Sequence, residues 1–161
     1  MRKKHINDVF GFWQIKGSEL SGKYELPVIH GTSKIPDELV PFTKSEKEKH
    51  PENKTVHVYQ FDECFATCLE SERKLTKKLE VFKQFQSVIL PDFSVYRDMP
   101  FAQQISQVYK SRAVGNFLMQ NDIKVIPNVR WGDERTYEIA FEGIDKWGVI
   151  AVGVQGGYRG K

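Results

Sequence analysis

The spacing of apolar and polar residues changes period several times along the chain, and each change marks the border of a predicted element. Residues 55–61, TVHVYQF, alternate apolar with polar and are rich in β-branched residues, which predicts a strand with one buried face. In the stretch that follows, Leu69, Leu75, Leu79 and Phe82 fall at helical spacings and predict one or two helices over 62–86. The alternation then repeats. SVIL reads as a strand, residues 100–120 as a long helix, IKVIPNV as a strand, DERTYEIAFEGI as a helix and GVIAVGV as a last strand. Short continuous apolar strands separated by helices are what a parallel sheet covered on both faces requires. The predicted fold is α/β: a mostly parallel sheet with flanking helices, either open and Rossmann-like or a partial β/α barrel.

Local signals place the boundaries. Asp98 just before Pro100, and Asp133 before the stripe of Tyr137, Ala140, Phe141 and Ile144, predict helix N-caps; Gly143 stands where a left-handed C-terminal residue is needed. A short strand is predicted over 26–29, after which Pro36 and Pro41 exclude a long helix, so the N-terminal quarter, residues 1–23 above all, reads as irregular. The charged stretch 43–54 reads as a loop. At 161 residues the chain fits a single domain.

Ligands of open α/β sheets bind beyond the carboxyl ends of the strands, where loops converge without having to fill the core. SVIL runs into Asp92 and Ser94, KVIP into Asn128, Arg130, Trp131 and Asp133, and the last strand into Gln155 and a glycine-rich tail. Parallel neighbouring strands would bring these residues to one rim. Asp92, Asp98 and Asp133 are the candidate catalytic groups, and Ser94, Asn128, Arg130, Trp131 and Gln155 the candidate ligand contacts. Simpler roles compete with these: Asp98 and Asp133 as caps, Arg130 and Trp131 as a stacked surface pair. His30 ends a strand and could join the rim as an acid or base. Along the long helix, Tyr109, Arg112, Asn116 and Gln120 form a polar stripe, either the solvent boundary or a support for the loops.

Bulk properties narrow the classes. Hydrophobic residues at 40% and charged residues at 28% describe an ordinary globular chain, and a net charge of +3 is too small and too dispersed to identify a nucleic-acid binder. The basic start is followed by polar and aromatic residues where a signal peptide needs an apolar run, so a cytoplasmic location is expected. Cys64 and Cys68 read as small core residues. A lone C-x-x-x-C, with His57 the nearest further ligand, does not predict a metal site, and no cofactor is specified.

The segments ILPDFSVYRDMPFAQQISQVYKSR, IKVIPNVRWGDERTYEIAFEGI and VIAVGVQGGYRGK resemble a bacterial and phage family, domain of unknown function 4417, over residues 24–161. Pro91, Asp92, Phe93, Ser94, Asp98, Pro100, Pro127 and Trp131 carry the match. The resemblance implies association with phages and other mobile elements, in replication or host interaction, and carries over no catalytic residue. Similar proteins continue into another helix and strand, whereas this chain stops at Lys161; a shortened form would leave Val149, Ala151 and Val154 open to water and favour self-association there. Three functions compete. The first is an enzyme or binder of nucleotide or sugar-phosphate type, with Asp92 as acid, base or metal anchor and Arg130 reading an anionic group. On that reading Asp92→Asn removes ligand binding and moves the melting temperature by only a few degrees. The second is a phage-type interaction protein, such as an inhibitor of a host factor, using Phe10, Phe12 and Trp13. The third is a nucleic-acid binder using the basic residues at 2–4 and 73–83.

Overall fold

The computed structural model describes residues 11–153. A small antiparallel hairpin, β1 (Leu20–Ser21) and β2 (Leu26–Pro27), precedes a four-stranded sheet of β3 (Glu38–Pro41), β4 (Lys54–His57), β5 (Ser87–Ile89) and β6 (Val125–Ile126). All neighbours in the larger sheet are parallel. Between β4 and β5 lie α1 (Ala66–Leu69) and α2 (Glu72–Phe82), between β5 and β6 the long α3 (Phe101–Gln120), and after β6 a 3₁₀ turn leads into α4 (Tyr137–Phe141).

The order β3-β4-β5-β6 follows the chain without reversal. Parallel crossovers share one hand, so an order without reversal keeps every connecting helix on the same face, as in part of a β/α barrel. The packing agrees. Register aligns Val40, Val56, Val88 and Val125 across the four strands, and these pack in one cluster with Leu75, Leu79 and Phe82 of α2 and Val114 and Leu118 of α3. The opposite face carries Thr55 and Ser87, whose hydroxyls meet at 2.7 Å, with Ile89 and Ile126. No helix covers it among the described residues. The segment 149–152 lies over it instead, enclosing about 290 Å³ with Pro36, Leu39, Ile89 and Ile126. Of the two arrangements expected for the parallel sheet with flanking helices, the order without reversal is that of a partial β/α barrel.

Three expectations change. Glu38–Pro41, within the stretch read as irregular, is a strand; it forms the sheet edge, the position that tolerates proline, and Leu39 there is half exposed. The charged stretch 43–54 begins inside a 3₁₀ helix, Phe42–Lys47. The expected last strand is a single parallel bridge between Asn128 and Ala151, made by Val129 N–H to the Ala151 carbonyl (2.8 Å) and Ala151 N–H to the Pro127 carbonyl (2.9 Å). Val154 lies outside the described residues.

Helix α3 is more central than its polar stripe suggested. Ser111 through Asn116 are all buried, because the hairpin and α4 cover the flank that the sheet does not. Asn116 Nδ2 donates to the Gln14 carbonyl at 2.7 Å and Gln120 Nε2 to that of Lys16, so two members of the stripe hold the chain before β1. Arg112 is 1% exposed and donates from Nη2 to the Ala140 carbonyl at 2.6 Å. Its Nε and Nη1 have no hydrogen-bond partner, and burial lowers its pKa to about 10. Asp133 does cap: its carboxylate accepts from the Arg135 backbone N–H, and Thr136 completes a capping box. Asp98 does not cap α3, whose N-cap is Pro100 with no side-chain bond. Gly143 has the expected left-handed backbone, φ +69°. No helix among the described residues is long and apolar enough to cross a membrane.

Candidate functional site

Three of the four parallel strands deliver their first polar residues to the same end of the sheet. β4 leads to His57, Tyr59 and Asp62, β5 to Asp92 and Ser94, and β6 to Asn128 and Arg130. They meet around a cleft of about 620 Å³, lined among others by His57, Tyr59, Asp92, Ser94, Tyr96 and Arg130. At its floor Asp92 accepts from Asn128 Nδ2 at 2.8 Å on one oxygen and from Arg130 Nη1 at 2.6 Å on the other. Tyr59 donates its hydroxyl to Asn128 Oδ1 at 3.0 Å, which fixes the amide orientation that presents Nδ2 to Asp92. Beside this chain, Asp62 accepts from the Ser94 backbone N–H and hydroxyl, both at 3.1 Å.

Burial dominates the electrostatics. It raises the pKa of the Asp92 carboxyl above the ordinary aspartate value, while Arg130 and then Asn128 pull it back in part. Both oxygens nonetheless accept, so the hydrogen bonds describe a carboxylate. Burial also raises the Tyr59 hydroxyl well above the usual tyrosine range, which keeps it a donor. The His57 imidazole, stacked on Tyr59 at 5.9 Å, is pushed by burial below its usual value of 6.5. For a base with a lowered folded pKa, the unfolded chain takes up the proton first. The contribution of His57 is therefore complete above about pH 6.5 and declines as pH falls through that value. Urea unfolding between about pH 8 and pH 5 should show this decline, and His57→Gln should flatten it; an unchanged slope would assign the decline elsewhere.

The segment 149–153 completes the wall. A Cβ at Gly153 would stand 2.8 Å from the Tyr59 ring and 2.9 Å from Asp92 Oδ2, closer than packed atoms approach, so the backbone passes against the carboxylate only because this residue is glycine.

Of the residues expected at the rim, Asp92, Ser94, Asn128 and Arg130 come together. Trp131 turns away and packs on Tyr137 and Phe141, at 5.6 and 6.3 Å. Asp133 is engaged with Arg135 at 2.6 Å, and Asp98 is exposed in a turn; neither lines the cleft. Gln155 and Phe10 lie outside the described residues. His30 pairs with Asp145 at 3.1 Å and borders a different depression, at the amino end of β6. Cys64, expected in the core, is exposed and lines the cleft, whereas Cys68 is half-buried with its thiol pKa raised by burial. Trp13 packs edge-on against Phe117, and Lys78 of the basic stretch 73–83 is buried against Glu46 at 2.8 Å. Tyr59, Asp62, Phe61 and Tyr96 were missed, although extending the same rule to the strand TVHVYQF would have pointed to the first two.

A singly wound parallel sheet with flanking helices places the chain among α/β proteins, here with a polar cluster beyond the carboxyl ends of its strands. By sequence it belongs to the family described as Domain of unknown function (DUF4417), whose profile matches residues 18–161. It is similar to the "Gene 1 protein" of Mycobacterium phage L5, 29% identical over 140 residues, covering 86% of this chain and 60% of the relative. It is also similar to the "Gene 1 protein" of Mycobacterium phage D29, 27% identical over 138 residues, covering 84% and 50%. The chain thus spans between half and three fifths of the length of these curated relatives. No solved structure matches.

Proposed function

We propose that the chain is a phage-type ligand-binding protein whose cleft holds a small polar molecule of nucleotide type, nucleosides included, or of sugar-phosphate type. One observation carries the reading: Asp92, Asn128 and Arg130, from the ends of two strands 36 and 38 residues apart in sequence, form one hydrogen-bonded cluster at the floor of an open cleft. With both oxygens engaged, Asp92 serves to orient Arg130 and Asn128, and the ligand meets the outer edge of the guanidinium and the surrounding hydroxyls. Calorimetric titration with nucleosides, nucleotides and sugar phosphates should give saturable binding for at least one compound, lost in Arg130→Met with the fold retained. Absence of binding across the panel would contradict the reading.

A second reading is supported by a different observation. On the sheet face without helices Leu39, Ile150 and Val152 are 51%, 39% and 45% exposed, apolar surface that pairing with a second copy would cover. Sedimentation should then show a dimer that Ile150→Lys shifts to monomer; a monomeric parent chain at high concentration would end this reading.

A further inference from the structure

We propose that the cleft takes an uncharged purine or pyrimidine nucleoside, held by its base, in preference to any phosphorylated form; the inference rests on the reading of the cleft as a ligand site. Charge balance points away from phosphate. Among the described lining residues Arg130 is the only Lys or Arg, and it is already paired with Asp92 at 2.6 Å, so the two present no net charge. Asp62, holding Ser94 from behind at 3.1 Å, adds a carboxylate, and burial favours the neutral form of His57. A phosphate brings between about one and two negative charges at neutral pH. A phosphate would reach only the outer edge of a guanidinium whose charge Asp92 already neutralises, with the carboxylates of Asp92 and Asp62 close by.

The walls select a flat ring. Phe61 lies on the rim with 82% of its surface exposed, and Tyr96 with 46%. Neither ring is paired with another aromatic among the described residues, and Phe61, the more exposed of the two, offers an open π-face. Aromatic faces left open at a cleft suit base stacking, which every nucleobase can accept whatever its edge. The Tyr96 hydroxyl donates to Ser94 Oγ at 3.3 Å, which leaves its oxygen to accept from the ring edge or the ribose, and the free edge of Arg130 donates. A volume of about 620 Å³ accommodates a nucleoside.

The test titrates the full chain with adenosine, guanosine, cytidine and uridine, with the monophosphate of each, and with ribose phosphate. At least one nucleoside should bind, its monophosphate should bind at least about tenfold more weakly, and Phe61→Ala should weaken the nucleoside about tenfold without moving the melting temperature. A monophosphate that binds as well as its nucleoside, preferential binding of ribose phosphate, or indifference to Phe61→Ala would overturn the inference and leave the ligand site standing. Binding of none of these compounds would remove both.

Discussion

Asp92→Ala is expected to lower the stability of the fold by about 3 kcal/mol and the melting temperature by roughly 10 °C. The carboxylate and its partner Arg130 are 10% and 16% exposed, so water replaces little of what either loses. Removing one member of a buried pair costs about 3–5 kcal/mol because the other charge stays behind unpaired. The lower end applies, since the outer edge of the guanidinium reaches the cleft. Asn128 loses its acceptor in the same step, and with it the reason for Tyr59 to hold that amide. Asp92→Asn keeps the shape but offers one acceptor and one donor to two donors, so it too should destabilise measurably. With Asp92 as acid, base or metal anchor the expected shift in melting temperature was a few degrees; the ion pair with Arg130 adds a loss of stability to it. Chemical denaturation of the two variants checks both statements, and stability close to that of the parent chain would show that Arg130 does not depend on Asp92.

Arg112→Met is expected to act in the opposite direction, raising stability by about 1–3 kcal/mol. Arg112 is fully buried, with a single hydrogen bond from Nη2 and no partner at Nε or Nη1. A buried cation retains its desolvation cost when nothing of opposite charge repays it, and methionine fills similar volume without that cost. One loss offsets part of the gain, because the Ala140 carbonyl gives up its donor. Arg112→Ala should be destabilising instead, since it empties space in the packed flank around Val108 and Ile139. The midpoint of urea unfolding should rise for methionine and fall for alanine at unchanged slope; a fall for methionine would show that the guanidinium is satisfied in solution.

What the chain makes legible follows from how local each signal is. The strand-helix alternation from 55 to 141 rests on periodicity within each segment, and β4, α2, β5, α3 and β6 fall where it places them. Asp92, Ser94, Asn128 and Arg130 were legible because polarity directly after an apolar strand is also local. Residues 38–41 were not, because their strand character comes from an edge position that admits Pro41 beside a partner, His57. Nor was the fate of Arg112, which the helical period places on a border; the hairpin and α4 that bury it come from remote parts of the chain. Trp131 and Asp133 share a rim segment with Arg130 but turn toward α4, where aromatic packing and a capping box claim them. Sequence position reaches the loop; the side chain's direction is set by what the loop packs on.

The ends of β5 and β6 meet so that Asp92 and Arg130 form one ion pair at the base of the cleft. A double-mutant cycle of Asp92→Ala and Arg130→Met in urea unfolding measures that pair in solution. The structure predicts a coupling of about 2 kcal/mol, with the double variant more stable than the sum of the single losses implies. Strict additivity of the two substitutions would contradict it.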